Sequence, residues 1–402
     1  MNHFFIKKAV TATVFTGVLI VGFVFNMRNS YDDVKQSVSS DLKEGKSMDK
    51  LFQDVDAVIN ENLVGKYPAI EMYGYVQRLL NKDEENNFEV IKDKNGALHM
   101  TYFGTEAKDM SEMADRVEQF KQSLTNKETQ VIYVSTPDKV IEGVTEFNTG
   151  LPYDYANETA DNLLKELEER DIATIDYREA ILDSGISYSD LFFKTDHHWT
   201  IQTAFWAYTY LTDQLTENFG MQVENKSFYT DLNNYNVITY PNSFIGSLGR
   251  KTGIYFSGVD DFSLIYPKFF TDYTFTATLR NTELTTSGMF NEALLNLSSI
   301  RYNEDKYSVL ADRYSSYLYG TQGIVHIQNN TAKNGPKVLL IKDSYMVPVA
   351  AFLSTICSDV YLVDPRYYEG SITDYANSIP DLDYALISFY PQDLTEEFFR
   401  FE

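Results

Sequence analysis

Residues 338–352 read VLLIKDSYMVPVAAF, the clearest structural signature in the chain. An apolar strand pattern over 338–341 ends at Lys342-Asp343-Ser344, and an apolar helical pattern follows directly. A serine at a strand-to-helix turn lies beyond the carboxyl edge of the sheet, where α/β proteins form their active sites. Serine is also a preferred helix N-cap, so its position alone leaves a structural role open.

Strand and helix patterns alternate on both sides of this stretch. Apolar strand patterns occupy 130–137 and 172–176 upstream and 384–390 downstream, and helical patterns fall between them. One helical pattern, over 200–220, begins at Thr200, a predicted N-cap. Helices alternating with β-branched strands predict a parallel sheet covered on both faces, which is a three-layer α/β/α sandwich.

Residues 221–335 interrupt this alternation. They are rich in Asn, Tyr, Thr, Ser and Gly and contain short alternating runs such as GIYFSG and YTFTATLR. The pattern predicts a β-rich insertion, built either as hairpins and loops or as a small β-subdomain.

The amino-terminal segment predicts a membrane anchor. Lys7 and Lys8 precede residues 9–25, which carry no charge and are just long enough to span a bilayer. The following NMRNSYDDV lacks a small-x-small cleavage site, which favours an uncleaved anchor over a signal peptide. We therefore predict an anchor over 1–29, a helical stalk over 30–66 and a catalytic domain over 67–402. The protein is then a single-pass protein of the cell membrane, with this domain extracytoplasmic.

Composition excludes several classes of function. Acidic residues exceed basic ones by 24, so the surface repels nucleic-acid phosphates. The single cysteine, Cys357, has no partner for an intrachain disulfide or a zinc motif. The 30 Tyr and 27 Phe residues are characteristic both of carbohydrate sites and of ordinary cores.

A second stretch, FFKTDHHWT over 192–200, supplies a candidate general base. Residues two apart in an extended segment point the same way, so Asp196 is able to orient His198. His197 is either a partner behind the site or the base itself. Adjacent histidines are expected to diverge, and no second ligand cluster exists in the sequence, so we predict no metal.

These stretches together resemble one protein family. TDHHWT, KDSYMVP, VDPRYY (363–368) and FIGSLGRKTG (244–253) are similar to motifs of the DHHW family of bacterial surface proteins. That family resembles the SGNH hydrolases and the alginate O-acetyltransferases. The resemblance begins near residue 70 and continues to the carboxyl end. It implies that Ser344 is the nucleophile, His198 the base and Asp196 its partner.

The sequence departs from the usual SGNH pattern in three ways. The triad order is reversed, the Asp-to-His spacing is one residue shorter, and the Gly and Asn blocks of the oxyanion hole are not recognisable. Triads are defined by geometry, so the order does not exclude one. The free N–H groups of the helix that follows Ser344 make the Tyr345 N–H the expected first oxyanion donor. Arg366, at the same sheet edge, is expected either to bind substrate or to pair with Asp364.

The resemblance implies acyl transfer, most simply O-acetyl transfer, or ester hydrolysis on a cell-surface or exported polysaccharide. The predicted substrate-binding residues are Tyr345, Arg366 and His197, and no cofactor is required. A membrane-bound acyltransferase is the implied partner that supplies the acyl group, and the aromatic residues of 221–335 are the expected acceptor platform. The alternative is a non-enzymatic surface protein that keeps the fold in order to bind glycans or the cell envelope.

Overall fold

The computed structural model describes residues 3–279, 282–301 and 306–402, and its contacts separate Met1–Tyr73 from Gly74–Glu402. The first unit is helical. Helix α1 (His3–Glu44) continues past residue 29, so no break in the helix marks the predicted boundary between anchor and stalk. It ends before Gly45, whose φ of 70° is a left-handed conformation that glycine readily adopts at a helix end. Helix α3 spans Lys66–Leu79.

Helix α2 (Met48–Glu61) folds back along α1. It begins at Ser47, whose side chain accepts a hydrogen bond from the Lys50 N–H. After α2, the Val64 N–H donates to Asn26 Oδ1 at 2.7 Å, so the chain returns to the end of the apolar run. Among the described residues, α1 is the one helix long and apolar enough to cross a membrane, and its apolar window is fully exposed.

The second unit is built on one eight-stranded sheet. Its strand order is β5-β4-β13-β11-β12-β10-β8-β9, with β5 to β12 parallel and the last three strands antiparallel. The predicted parallel sheet therefore supplies five strands of a mixed eight-stranded sheet. The sheet strands are β4 (Gln130–Ser135), β5 (Ala173–Asp176), β8 (Tyr273–Leu279), β9 (Thr282–Gly288), β10 (Ile324–Asn329), β11 (Lys337–Lys342), β12 (Asp359–Val363) and β13 (Tyr384–Ser388).

Two smaller sheets accompany the large one. A three-stranded sheet holds β1 (Glu84–Glu85), β2 (Val90–Lys92) and β3 (Leu98–Met100), and it contains a hairpin turn at Gly96. A two-stranded sheet pairs β6 (Tyr235–Phe244) with β7 (Asp260–Pro267).

Helices cover both faces of the large sheet. In β11, Val338 and Leu340 join one buried cluster, whereas Leu339 and Ile341 join another, because successive strand residues point to opposite faces. The predicted α/β/α arrangement is confirmed. The remaining helices are α4 (Ser111–Ser123), α5 (Ala156–Glu168), α6 (Tyr177–Ala180), α7 (Tyr188–Leu191), α8 (Ile201–Asn218), α9 (Lys226–Tyr229), α10 (Ser247–Thr252), α11 (Ile254–Ser257), α12 (Phe290–Ala293), α13 (Val347–Leu353) and α14 (Ile372–Ser378).

Residues 221–335 are β-rich, as expected, but they do not form a subdomain beside the sandwich. Strands β8, β9 and β10 extend the large sheet, because β10 pairs with the free edge of β12. Phe275 and Ile327 of these strands are fully buried in the same cluster as Val338. This segment is therefore part of the main core.

Candidate active site

Ser344 lies where the sequence predicts, directly after β11. It begins a short 3₁₀ turn, Ser344–Met346, that leads into α13. The cap of this turn is Asp343, whose carboxylate accepts hydrogen bonds from the backbone N–H groups of Tyr345 and Tyr390. The Ser344 side chain is thus not used as the N-cap. Its hydroxyl remains available for chemistry.

The position of Asp343 changes the expected role of Tyr345. The Tyr345 N–H, predicted to be the first oxyanion donor, instead donates to Asp343 Oδ1 at 2.8 Å. The Tyr345 side chain is buried, and its hydroxyl donates to the His197 carbonyl. In this structure the buried Tyr345 therefore joins two segments of the site.

The segment 192–200 forms a tight loop before α8. Phe192 and Trp199 make an isolated antiparallel bridge, and the Phe193 N–H donates to the His198 carbonyl at 3.1 Å. Thr200 caps α8 as predicted, because its hydroxyl accepts from the Thr203 N–H. The loop is closed at its base and presents Asp196, His197 and His198 at its tip.

A buried lysine supports this loop from beneath. Lys139 Nζ donates to the carbonyls of Leu98 (2.6 Å), Phe193 (2.6 Å), Lys194 (3.2 Å) and Asp196 (2.8 Å). Burial lowers the pKa of Lys139 to about 8, although nearby carboxylates oppose the shift. The three N–H groups of one side chain are thus shared among four carbonyl groups that would otherwise be hard to satisfy.

A second set of hydrogen bonds ties the loop to residues 244–260. The Asp260 carboxylate accepts from the Thr195 N–H at 2.8 Å and from the Thr195 hydroxyl at 2.6 Å. Thr195 Oγ1 in turn accepts from the Gly246 N–H at 2.8 Å. A β-carbon added to Gly246 would lie 2.1 Å from Asp196 Oδ2, so only glycine allows this approach.

Asp196, His198 and Ser344 converge in one hydrogen-bonded series. His198 Nδ1 lies 2.8 Å from Asp196 Oδ1, and His198 Nε2 lies 2.8 Å from Ser344 Oγ. The partners assign the tautomer, with Nδ1 donating to the carboxylate and Nε2 accepting from the hydroxyl. The Ser247 N–H donates to Asp196 Oδ2 at 2.9 Å and fixes the carboxylate. This is the arrangement that general-base activation of a serine requires.

Burial sets the charge state of this pair. Burial, and after it the adjacent His197, lower the pKa of His198 to about 4, while Asp196 opposes the shift. Burial alone would raise the pKa of Asp196, but the two neighbouring histidines hold it well below its usual range. At neutral pH the imidazole is therefore neutral and the carboxylate ionised.

His197 occupies a different position from His198. Its Nδ1 lies 3.0 Å from Ser247 Oγ and 3.0 Å from Asp196 Oδ1. Its ring lies 3.9 Å from the His198 ring, centroid to centroid. Of the two histidines, His198 makes the contact with Ser344.

The two histidines do not diverge as the sequence suggested. Both Nδ1 atoms face Asp196 Oδ1, and the possible ligand atoms of Asp196, His197 and His198 lie within 4.8 Å of one another. A metal ion at this cluster would have to compete with the hydrogen bonds that Asp196 accepts. Asp196 Oδ1 accepts from His198 and Ser247, and Asp196 Oδ2 accepts from the Ser247 N–H. Hydrogen bonding accounts for the cluster.

One residue that contacts the base, Tyr314, was not indicated by any sequence motif. The Tyr314 ring stacks on the His198 ring, with centroids 3.9 Å apart and planes inclined by 21°. The Tyr314 hydroxyl donates to the Tyr345 carbonyl at 3.1 Å. No motif spacing distinguishes Tyr314 from the other tyrosines, whereas Gly246 and Ser247 lie within the stretch 244–253 that the sequence had singled out.

A cavity of about 340 Å³ opens over Ser344 and His198. Arg366 lines it and also pairs with Asp364, through Nε at 3.0 Å and a terminal nitrogen at 2.9 Å. Its two expected roles, substrate binding and pairing with Asp364, are therefore compatible.

Arg250 also lines this cavity and uses Nε to bind the Ile245 carbonyl at 3.1 Å. Among the described residues, the terminal nitrogens of Arg250 have no hydrogen-bond partner. The cavity therefore presents cationic donors beside the serine.

Comparison with known proteins supports the resemblance read from the motifs. Residues 98–235 match the family model described as the SGNH hydrolase-like domain of acetyltransferase AlgX. No curated protein sequence matches the chain significantly.

Three solved structures share the fold. Bacillus cereus PatB1, solved with a sulfonyl adduct, is 18% identical with a TM-score of 0.60, and the alignment covers 78% of this chain and 97% of PatB1. A second PatB1 structure is 18% identical with a TM-score of 0.60, and its alignment covers 78% and 99%. A DHHW family protein from Eubacterium siraeum is 18% identical with a TM-score of 0.54, covering 76% and 94%. The predicted resemblance and the SGNH-like fold are confirmed.

Proposed function

We propose that the chain is an extracytoplasmic O-acyltransferase or esterase, most simply an O-acetyltransferase, acting on a cell-surface or exported polysaccharide. The hydrogen-bonded series from Asp196 through His198 to Ser344 carries the proposal. The match of 98–235 to an acetyltransferase family model supports an acyl group as the group transferred. The same series favours an enzyme over the alternative of a glycan-binding protein, which has no need of an aligned base and nucleophile.

The first half of the reaction forms an acyl-serine. His198 Nε2 accepts the Ser344 proton while Oγ bonds to the carbonyl carbon of the donor ester. The bond from that carbon to the leaving oxygen then breaks, and His198 returns the proton to this oxygen. Asp196 holds the Nδ1–H and stabilises the imidazolium that forms in between.

The second half releases the acyl group. His198 Nε2 removes a proton from the acceptor hydroxyl, whose oxygen attacks the acyl carbon. The bond to Ser344 Oγ breaks, and the proton returns to Oγ. A sugar hydroxyl as acceptor gives transfer, and water gives hydrolysis. Because water is present at about 55 M, transfer requires a site that positions the sugar, for which effective molarities of about 10⁵ M or more suffice.

We assign stabilisation of the developing oxyanion to Arg250. The charge appears on the carbonyl oxygen beside Ser344, and a preorganised cationic donor lowers the barrier there. Arg250 lines the cavity, and its terminal nitrogens lack hydrogen-bond partners among the described residues. Arg366 shares the cavity, but its hydrogen bonds to Asp364 already use part of its guanidinium.

The proposed extracytoplasmic location depends on α1 as a membrane anchor. With α1 as a single-pass membrane helix and the remaining chain outside, the acyl donor has to cross the membrane before it reaches Ser344. A membrane-bound acyltransferase is the partner class that meets this need. The proposed chemistry uses no cofactor.

Active-site labelling tests the proposal. The full chain in detergent is treated with a fluorophosphonate or sulfonyl fluoride, with and without EDTA, and the modified peptide is identified by mass spectrometry. We expect stoichiometric modification of Ser344 that EDTA leaves unchanged. Ser344→Ala and His198→Ala should abolish labelling and lower hydrolysis of a small acetyl ester by about 10³-fold or more, whereas His197→Ala should do less. A chain that is folded yet unreactive at Ser344 would favour the binding-protein alternative.

A further inference from the structure

A second cavity, of about 520 Å³, lies next to the one over Ser344. Thr321 and Tyr367 belong to the walls of both cavities. The other residues of its described lining are Thr278, Gln322, Gly323, Ile324 and Tyr368. The space beside the nucleophile therefore continues beyond the immediate surroundings of Ser344.

The second cavity combines an aromatic ring with uncharged hydroxyl groups. The Tyr367 side chain is 60% exposed. The hydroxyls of Thr278, Tyr367 and Tyr368 have no hydrogen-bond partner among the described residues, and no charged residue belongs to the described lining. A sugar ring offers an apolar C–H face for an aromatic ring and hydroxyls for the surrounding polar groups. The lining therefore suits a neutral sugar better than an ion or a purely apolar ligand.

Hydrogen bonds fix the backbone that carries the Tyr367 ring. The N–H groups of Tyr367 and Tyr368 both donate to the Asp364 carbonyl at 3.1 Å, and the Asp364 N–H donates to the Gly323 carbonyl at 3.1 Å. A β-carbon added to Gly323 would lie 2.6 Å from the Tyr367 carbonyl oxygen, so the two segments are in close contact. A backbone held in this way loses little conformational freedom when a ligand binds to the Tyr367 ring.

From these observations we infer that the second cavity is a subsite for a sugar residue of the polysaccharide acceptor. This sugar neighbours, along the same glycan, the residue whose hydroxyl reacts at Ser344. The inference rests on the proposed function and extends it: the acceptor is an oligosaccharide of at least two residues, and one of its sugars stacks on Tyr367.

Binding in a chain that cannot turn over tests the subsite separately from catalysis. The probes are oligosaccharides from partial hydrolysis of the host cell's own surface polysaccharide, with their ester groups removed by mild alkali. Calorimetry measures their affinity for the full-length Ser344→Ala chain in detergent. In this background we expect Tyr367→Ala to weaken binding by about tenfold and Tyr367→Phe to restore most of it, because the ring makes the contact.

Tyr255→Ala is the matched control, since Tyr255 is an exposed tyrosine of the same unit that lines neither cavity. It should bind like the parent. Equal affinities for all variants, or no binding with Tyr367 intact, would overturn the subsite. In the Ser344-containing chain, Tyr255→Ala should hydrolyse a small acetyl ester within twofold of the parent rate. A parent that binds oligosaccharide yet hydrolyses no ester would refute the proposed function and leave the binding result standing.

Discussion

The indole Nε1 of Trp199 donates a hydrogen bond of 3.1 Å to the backbone carbonyl of Tyr345. In return, the Tyr345 hydroxyl donates to the carbonyl of His197. Each bond joins a neighbour of the proposed base to the residue after the proposed nucleophile. The separation of His198 and Ser344 is therefore set by the residues that flank them.

Trp199→Phe should loosen this connection. The substitution removes the indole donor from a fully buried site and leaves a small void. We expect the free energy of unfolding to fall by about 1–3 kcal/mol, together with a lower kcat for ester hydrolysis. Denaturant titration and steady-state kinetics measure the two effects. Trp206→Phe is the control, because the Trp206 indole makes no hydrogen bond within the described residues and stacks on Tyr210 instead. Equal losses in the two variants would argue against the connection.

The pH profile should reflect the depressed pKa of His198. General-base catalysis needs the neutral imidazole, and a pKa near 4 keeps it neutral well below the usual range. The acid limb of kcat/KM should therefore lie below about pH 5, not near the ordinary histidine value of about 6.5. An inflection near pH 6.5 would contradict the environment described for His198.

His197→Gln should move that acid limb upward. A positive charge on His197 disfavours protonation of His198, so an uncharged replacement relieves part of the depression. The pH dependence of small-ester hydrolysis measures this shift. Its absence would show that His197 does not contribute to the low pKa of His198.

Gly246→Ala should impair catalysis by displacing a carboxylate. The new methyl group would overlap Asp196 Oδ2, so Asp196 must move away from His198. We expect kcat to fall by about 10²-fold or more, because the imidazole loses its orienting partner. Ser247→Ala is the comparison: it removes a hydroxyl but keeps the N–H that binds Asp196, and its loss should be much smaller. Similar kinetics for Gly246→Ala and the parent would refute the close approach.

Arg250→Met should lower kcat/KM for a small ester by about 10²-fold, as expected for loss of an oxyanion donor. Lys251→Met provides the matched control. Lys251 lies next along the same helix and carries the same charge, but it pairs with Glu89 and does not line the cavity. If both variants lose activity equally, the effect is one of overall charge and the assignment of Arg250 is wrong.

The layered fold and the two motif segments were predictable because their signals are local. The strand at 338–341 and the Thr200 cap of α8 follow from hydrophobic period and cap chemistry within a few residues. Membership of β8 and β10 in the large sheet was not predictable, because alternating residues look alike in a separate hairpin and in an edge extension.

Residues brought to the site by tertiary packing also escaped prediction. Lys139 binds three carbonyls of the 192–200 loop and Tyr314 stacks on His198, yet neither residue stands at a recognisable spacing from the motifs. The Tyr345 N–H was expected at an oxyanion hole, but the neighbouring Asp343 carboxylate accepts that hydrogen bond. Which group accepts such a hydrogen bond depends on side-chain geometry, which the sequence does not specify.

Residues 221–335 contribute to the active site, so related proteins cannot exchange this segment on its own and keep the site intact. Gly246 and Asp260 hold the loop that carries Asp196, and Tyr314 covers the base. A chimera that imports this segment alone would pair it with a foreign loop, and its carboxylate and imidazole would lose their fit. Recombination between such chains should yield active proteins only when residues 192–200 travel with the segment. Residues 192–200 and the β-rich segment must therefore be exchanged together. A graft of the β-rich segment by itself should lower activity.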